Sequence, residues 1–217
     1  ELITYIRMNN VIKTSLIYKN IWIYRLVMNF LYYGRYKKRF NDVIKYISLD
    51  EGSRVIEYCF GDLYIANYCF SNKISWVGYD INRSFIQNAK KNGFSAYFLN
   101  LLNQSSFSKI IDTNEKFNMA IIMGSLYHFH DNIENLINQI MSHCEKLLIS
   151  EPISSLSNIS GPVGWMAQKS ANVGHGDEVF RYDKNTLIRD LERLCEKHYK
   201  LTVFKIEKDL ICQIEWK

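Results

Sequence analysis

The sequence predicts an α/β protein: a mostly parallel sheet with helices on both faces, an antiparallel strand pair at its C-terminal end, and a helical cap before it. Three observations carry this. From residue 53 onward, short β-like runs alternate with amphipathic helical ones, the pattern of strands joined by crossover helices. The last two runs, "KLTVFKI" and "LICQIEW", meet at a short turn, Glu207–Asp209, as the arms of a hairpin do. Residues 1 to 47 hold one glycine and no proline, and their apolar residues recur at helical spacing.

The cap reads as two helices hinged near Gly34. Ile12, Leu16, Ile23, Leu26, Val27, Phe30 and Leu31 mark the apolar spacing, and "YKKRFNDVIKYI" is the second helix. The main body follows as strand "RVIEY", helix "LYIANYCF", strand "SWVGYD", helix "SFIQNAKKNG", strand "SAYFLN" and a further stretch near 104–113. Strand "FNMAIIMG", helix "NIENLINQIMSHC" and strand "KLLISE" come next. After Glu151–Pro152 runs a long loop-like stretch, then the helix "KNTLIRDLERLCEKH" and the hairpin. At 217 residues the chain suits one sizeable core. It therefore divides into a cap, 1–47, and one domain, 48–217. With 47% hydrophobic and 23% charged residues, the composition excludes a disordered chain.

Charge and cysteines narrow the function classes. Residues 1 to 46 carry nine Lys/Arg against Glu1 and Asp42, a net of +7 that exceeds the whole chain's +5. Such an arm suits a solvated helix face, nucleic acid or an anionic membrane surface. Its basic residues are interleaved with large apolar ones and form no RNA-binding motif, which favours a packed helix over nucleic acid. The five cysteines include no C-x-x-C pair, so neither a zinc knuckle nor a disulfide framework is expected, and no metal is expected at the site. No signal-peptide pattern and no 18-residue apolar run occur, and the expectation is a cytoplasmic protein.

In open α/β sheets, ligands bind at the carboxyl ends of the strands. Glu57 and the turn after it lie there, as does Asp80, which ends the second strand 23 residues after Glu57. An acid at that place and spacing accepts from a ribose diol. The turn, Cys59-Phe60-Gly61-Asp62, has one glycine, whereas a pyrophosphate needs the backbone approach of G-x-G-x-x-G. Glu57 and Asp62 beside a pyrophosphate would also set like charges together. A nucleoside bearing an amine and a sulfonium suits these acids better, and S-adenosyl-L-methionine has both.

From about residue 53 onward the chain resembles the class I S-adenosylmethionine-dependent methyltransferases, a Rossmann-like family. The resemblance rests on "VIEYCFGD", "GYDIN", "SAYFLNLL", "FNMAIIMGSLYHF" and "LLISEP", in that order, and on the terminal strand pair. It implies a methyltransferase whose Glu57 and Tyr58–Cys59–Gly61 backbone face the methionine part. Asp80 with Ile81 would face the ribose, Asn100–Leu101 the adenine, and Gly124–Ser125 the sulfonium. Cys59 and Leu63 stand where the family carries glycines, and Asn100 where it carries an acid.

The acceptor is expected to be a small molecule, with oxygen as its methylated atom, because the Asn/Asp-Pro-Pro-Tyr motif of amide- and adenine-methylating relatives is replaced by "MGSLYHF". His128 is either a base beside the transferable methyl or a packed histidine, and His175, in "VGHGDE", is the second candidate base. Tyr33, Arg35, Tyr127, Arg181 and Tyr182 are candidate acceptor contacts. Tyr33, Arg35 and Arg39 belong either to a lid over the cofactor or to a plain amphipathic helix. Two alternatives stay open: a nucleic-acid-directed methyltransferase using the basic arm, and a catalytically silent cofactor-binding subunit. Contact of the aromatic, basic residues 11 to 39 with a membrane surface is a further alternative.

Overall fold

The structure, a computed structural model, describes residues 20–102, 116–154 and 180–217. Its centre is a seven-stranded sheet in the order β3-β2-β1-β4-β5-β7-β6. The strands are β1 (Arg54–Tyr58), β2 (Ser75–Asp80), β3 (Ser95–Phe98), β4 (Phe117–Met123), β5 (Cys144–Pro152), β6 (Tyr199–Ile206) and β7 (Asp209–Trp216). β1 to β5 run parallel, and β7 runs antiparallel to both β5 and β6. The order reverses between β1 and β4, so a crevice opens at their carboxyl ends.

Six described helices flank the sheet: α1 (Ile21–Leu31), α2 (Tyr36–Ile44), α3 (Tyr64–Ser71), α4 (Arg83–Lys91), α5 (Ile133–Met141) and α6 (Lys184–Cys195). A 3-10 segment, Leu126–Asn132, leads into α5. Side-chain caps fix several starts. Asn82 accepts from the Ser84 N–H ahead of α4, and Asp183 accepts from Asn185 and Thr186 ahead of α6. Along β4, Met119, Ile121 and Met123 pack into one core with the cap, while Ala120 and Ile122 enter the other with α5 and α6. The two-residue period of a strand thus gives both faces apolar cover.

The cap packs on the sheet through Tyr36, Phe40, Val43 and Ile47. Its hinge lies at Tyr33 and Gly34, both at positive φ (52° and 75°). The second cap helix ends at Ile44, three residues before the sequence pattern suggests, because Tyr46 and Ile47 donate to Val43 and Ile44 in tighter i−3 bonds. Polar ties then join α2 to the hairpin. Asp42 accepts from Lys38, Lys45 and Lys205 at 2.6, 2.9 and 2.7 Å, and Tyr46 stacks on Phe204 at 4.5 Å. Against the upward push of burial, Lys205, Lys38 and Lys45 hold the Asp42 carboxyl well below the usual range. No described helix is long and apolar enough to cross a membrane. Residues 1–19, the stretch near 104–113 and most of the long loop lie outside the described residues.

Candidate active site at the strand ends

The turn after β1 is shaped by two left-handed residues, Cys59 (φ 53°) and Gly61 (φ 57°). Glycine takes that region freely, whereas Cys59 holds it under strain. Tyr58, before it, is fully buried, with its hydroxyl against the His143 ring. The Cys59 N–H donates to the Tyr79 carbonyl at 2.7 Å, which ties the turn to β2. Asp80 closes β2 with only 7% of its surface exposed. One carboxylate oxygen accepts from the Gly61 N–H at 3.2 Å and the other from the Asn82 N–H at 2.7 Å. Burial lifts the carboxyl to about 6, against the main-chain donors of Asn82, Gly61 and Ile81. Ile81, half-buried, follows it.

The other two acids are used differently. Glu57 is wholly buried and accepts from the Trp76 indole Nε1–H at 2.9 Å, while its Oε1 has no partner among the described residues. Burial pushes its carboxyl well up, with Trp76 opposing and Asp62 and Asp80 adding to the shift, so the neutral acid is favoured. Asp62, also buried, is held by Arg25 of α1 in a two-pronged contact of 2.9 and 2.7 Å. Of the three acids that the sequence sets around the turn, one leans neutral and one is ion-paired. Asp80 is left as the strand-end acid held by main-chain N–H groups. Sequence reasoning missed Arg25, because 37 residues separate it from Asp62 and nothing local selects it among the cap's cations.

At the next two strand ends, Gly124 (φ 59°) donates its N–H to the Ser150 carbonyl at 2.7 Å. A Cβ on Gly124 would stand 2.4 Å from the Arg39 Nη2, so only glycine leaves that guanidinium its place. Arg39, from α2, donates to the Asp209 carboxylate at 2.7 Å and to the Ser150 carbonyl at 3.3 Å. Burial opposes its charge, and Asp209, Tyr32 and Glu151 more than offset this. Glu151 is buried at the end of β5, where it accepts from the Leu126 and Tyr127 N–H groups at 3.0 and 3.3 Å. Burial lifts its carboxyl to about 7, opposed by Leu126, Arg39 and Tyr127. Glu151 therefore pins the segment that carries Tyr127 and His128.

The remaining residues named from the sequence fall into groups. Ser125 Oγ donates to the Met123 carbonyl at 3.2 Å. Asn100 Oδ1 accepts from the Leu102 N–H at 3.0 Å, with Leu101 buried beside it. His128 is partly buried, its ring centroid 3.9 Å from that of Tyr127. The Arg181 guanidinium lies 4.1 Å over the Tyr127 ring. Tyr182 is fully buried in the core, edge-on to Phe180. Tyr33 and Arg35 stand apart from these at the junction of cap and hairpin, with Lys208 Nζ 4.5 Å over the Tyr33 ring. His175 lies outside the described residues.

No family model matches the chain, and no curated protein matches it in sequence. Solved structures match it in fold. An O-methyltransferase family protein from Burkholderia thailandensis aligns with a TM-score of 0.64 and 12% identity, over 92% of this chain and 61% of that one. This chain thus spans less than two thirds of that protein's length. The plantazolicin methyltransferase BpumL, solved in complex with SAH, aligns at 0.59 and 11% identity over 90% of each chain. Magnesium protoporphyrin IX methyltransferase from Synechocystis PCC 6803, with bound SAH, aligns at 0.56 and 11% over 83% of each. The fold is that of the class I S-adenosylmethionine-dependent methyltransferases.

The residues present at the crevice fit the nucleoside of S-adenosylmethionine. Asp80 accepts main-chain N–H groups, Gly61 on one oxygen and Asn82 on the other among them, and the lone pairs left on a carboxylate can take a ribose diol. The cap also reaches the turn, because the Tyr24 hydroxyl stands 3.2 Å from where a Cβ on Gly61 would lie. Burial pushes the Tyr24 phenol up to about 12, so at neutral pH that group is an uncharged hydroxyl beside the glycine.

Proposed function

We propose that the chain binds S-adenosyl-L-methionine at the carboxyl ends of β1, β2 and β4 and transfers a methyl group to a small-molecule acceptor, at oxygen. The observation that carries this reading is Asp80, a buried strand-end carboxylate fixed by the glycine turn's own N–H and still able to accept. The cofactor would supply an electrophilic methyl on a sulfonium. The chain's part is positioning and proton handling. Asp80 takes the ribose hydroxyls, with Ile81 beside it. The Gly61 turn, with Glu57 beneath it and Tyr58 and Cys59 leading in, borders the methionine part. Asn100–Leu101 border the adenine and Gly124–Ser125 the reacting side. Residues 20–47 cover the turn, and Arg25 neutralises Asp62, which removes one source of like-charge repulsion beside Asp80.

His128 is the proposed base, on the segment that Glu151 holds, with His175 as its alternative. Tyr127 and Arg181 shape the acceptor side, whereas Tyr182, also a candidate from the sequence, sits in the core. Five free cysteines suit a reducing, cytoplasmic compartment. Calorimetry against S-adenosylmethionine, S-adenosylhomocysteine and NAD tests the cofactor, and a clear NAD preference ends the reading. An acceptor screen following S-adenosylhomocysteine release tests the transfer. Replacing the true base by alanine is expected to slow it by roughly 10²–10⁴ with cofactor binding unchanged.

One observation favours a further contact. Trp22, Leu26 and Phe30 form a single outward face of α1 and are 73, 73 and 76% exposed. An aromatic helix face beside basic residues suits a membrane surface. Flotation with anionic vesicles tests it, and the W22S/L26S/F30S variant is expected to stay behind.

A further inference from the structure

We infer that the seam between α2 and the β6–β7 hairpin binds the oxyanion of a small molecule, a carboxylate or phosphate that also bears a hydroxyl or amine donor. A cavity of about 70 Å³ lies there, room for one such group or a few waters. Five of its lining side chains are cations and three are acids, and the pairing among them is uneven. Arg39 is held by Asp209. Lys38 and Lys205 share Asp42, and Lys205 also meets Glu207 at 3.0 Å. Arg35 and Lys208 are left with no carboxylate partner among the described residues.

Lys208 is nonetheless placed. Its ammonium sits over the ring of Tyr33, a residue held at a positive φ that tyrosine adopts at a cost. The Tyr33 ring thus holds in place one cation that has no carboxylate partner among the described residues, and Arg35, the other, lines the same cavity. The lining also includes Asp209, one of whose carboxylate oxygens is buried without a hydrogen-bond partner among the described residues. An anion carrying a hydroxyl or amine answers both needs: oxygens for Arg35 and Lys208, and a donor for Asp209 Oδ1.

Arg39 is the wall shared with the crevice, since its guanidinium spans from Asp209 to the face of Gly124. Resting on the methyl-transfer reading, the anion is the anchor of the acceptor, and a second hydroxyl of that acceptor, distinct from the donor to Asp209, is the one methylated on the Gly124 side of Arg39. The anion site itself stands without that reading.

Calorimetry on the full chain, in a low-salt buffer free of phosphate, would titrate glycerate and glycerol 3-phosphate against glycerol. The R35Q/K208Q variant is compared with the parent and with K91Q, an exposed lysine elsewhere. The parent and K91Q are expected to bind at least one anion and not glycerol. R35Q/K208Q is expected to bind at least tenfold more weakly, with its S-adenosylhomocysteine affinity unchanged. No anion binding by the parent, equal binding by R35Q/K208Q, or binding only to phosphatidylglycerol vesicles each overturns the proposal. If S-adenosylhomocysteine fails to bind while the anions bind, the methyl-transfer reading falls and the anion site stands.

Discussion

At Asp80 burial and hydrogen bonding pull in opposite directions, and burial wins, leaving the carboxyl near 6. A ribose diol donates best to the ionised form. S-adenosylhomocysteine binding is therefore expected to weaken about tenfold from pH 7 to pH 5, as the ionised fraction drops. Titration calorimetry across that range checks this, and Asp80→Asn should bind more weakly with a flat profile. Glu151 makes the matching case for stability. Its folded value, about 7, exceeds the unfolded 4.5, so the folded state holds an extra proton between them. This contribution is fully present below about 4.5 and is lost as pH rises through 7, by about 3 kcal/mol at most. Glu151→Gln should flatten the fall in Tm between pH 5 and 8. The place of Asp80 at the end of β2 was legible in the sequence, because the strand-like run "SWVGYD" stops there. The opposing fates of Glu57 and Asp62 were not legible, because the Trp76 indole and the Arg25 guanidinium that decide them come from other elements.

At the scale of elements, β2 shows how closely neighbours are fitted. A Cβ on Gly78 would lie 2.2 Å from the Trp76 ring and 2.7 Å from Phe60. Gly78→Ala is expected to destabilise the fold by about 1–3 kcal/mol and to push the indole off Glu57, read by chemical denaturation. Alternating periods made the strands and helices legible, since a strand's two-residue repeat and a helix's apolar stripe are local. The docking of α2 on the hairpin was not. The Asp42–Lys205 contact joins residues 163 apart, and β6 slips its register between Val203 and Lys205 where no sequence signal marks it. Local pattern says which face is apolar; it does not say which charge will answer which.

For the whole molecule, the cap is part of the core. Tyr36, Phe40, Val43 and Ile47 share one apolar cluster with Val55 and Met119 of the sheet and Ile65 of α3. Removing residues 1–47 would uncover that face and take Arg25 from Asp62. The truncated chain is expected to aggregate or to bind an apolar dye. A soluble, cooperatively melting truncation would show instead that the cap is an independent arm.

The bond between Trp76 and Glu57 gives the crevice an optical probe of its own. Trp76 is 7% exposed and lies under the glycine turn, whereas Trp22 and Trp216 are 73% and 46% exposed. An aqueous quencher should silence the last two and spare the first. With Trp22, Trp165 and Trp216 replaced by phenylalanine, the remaining emission would come from one indole hydrogen-bonded to one buried acid. Its colour and lifetime would then follow the state of that acid, and ligand arriving at the turn could be watched in real time without a label.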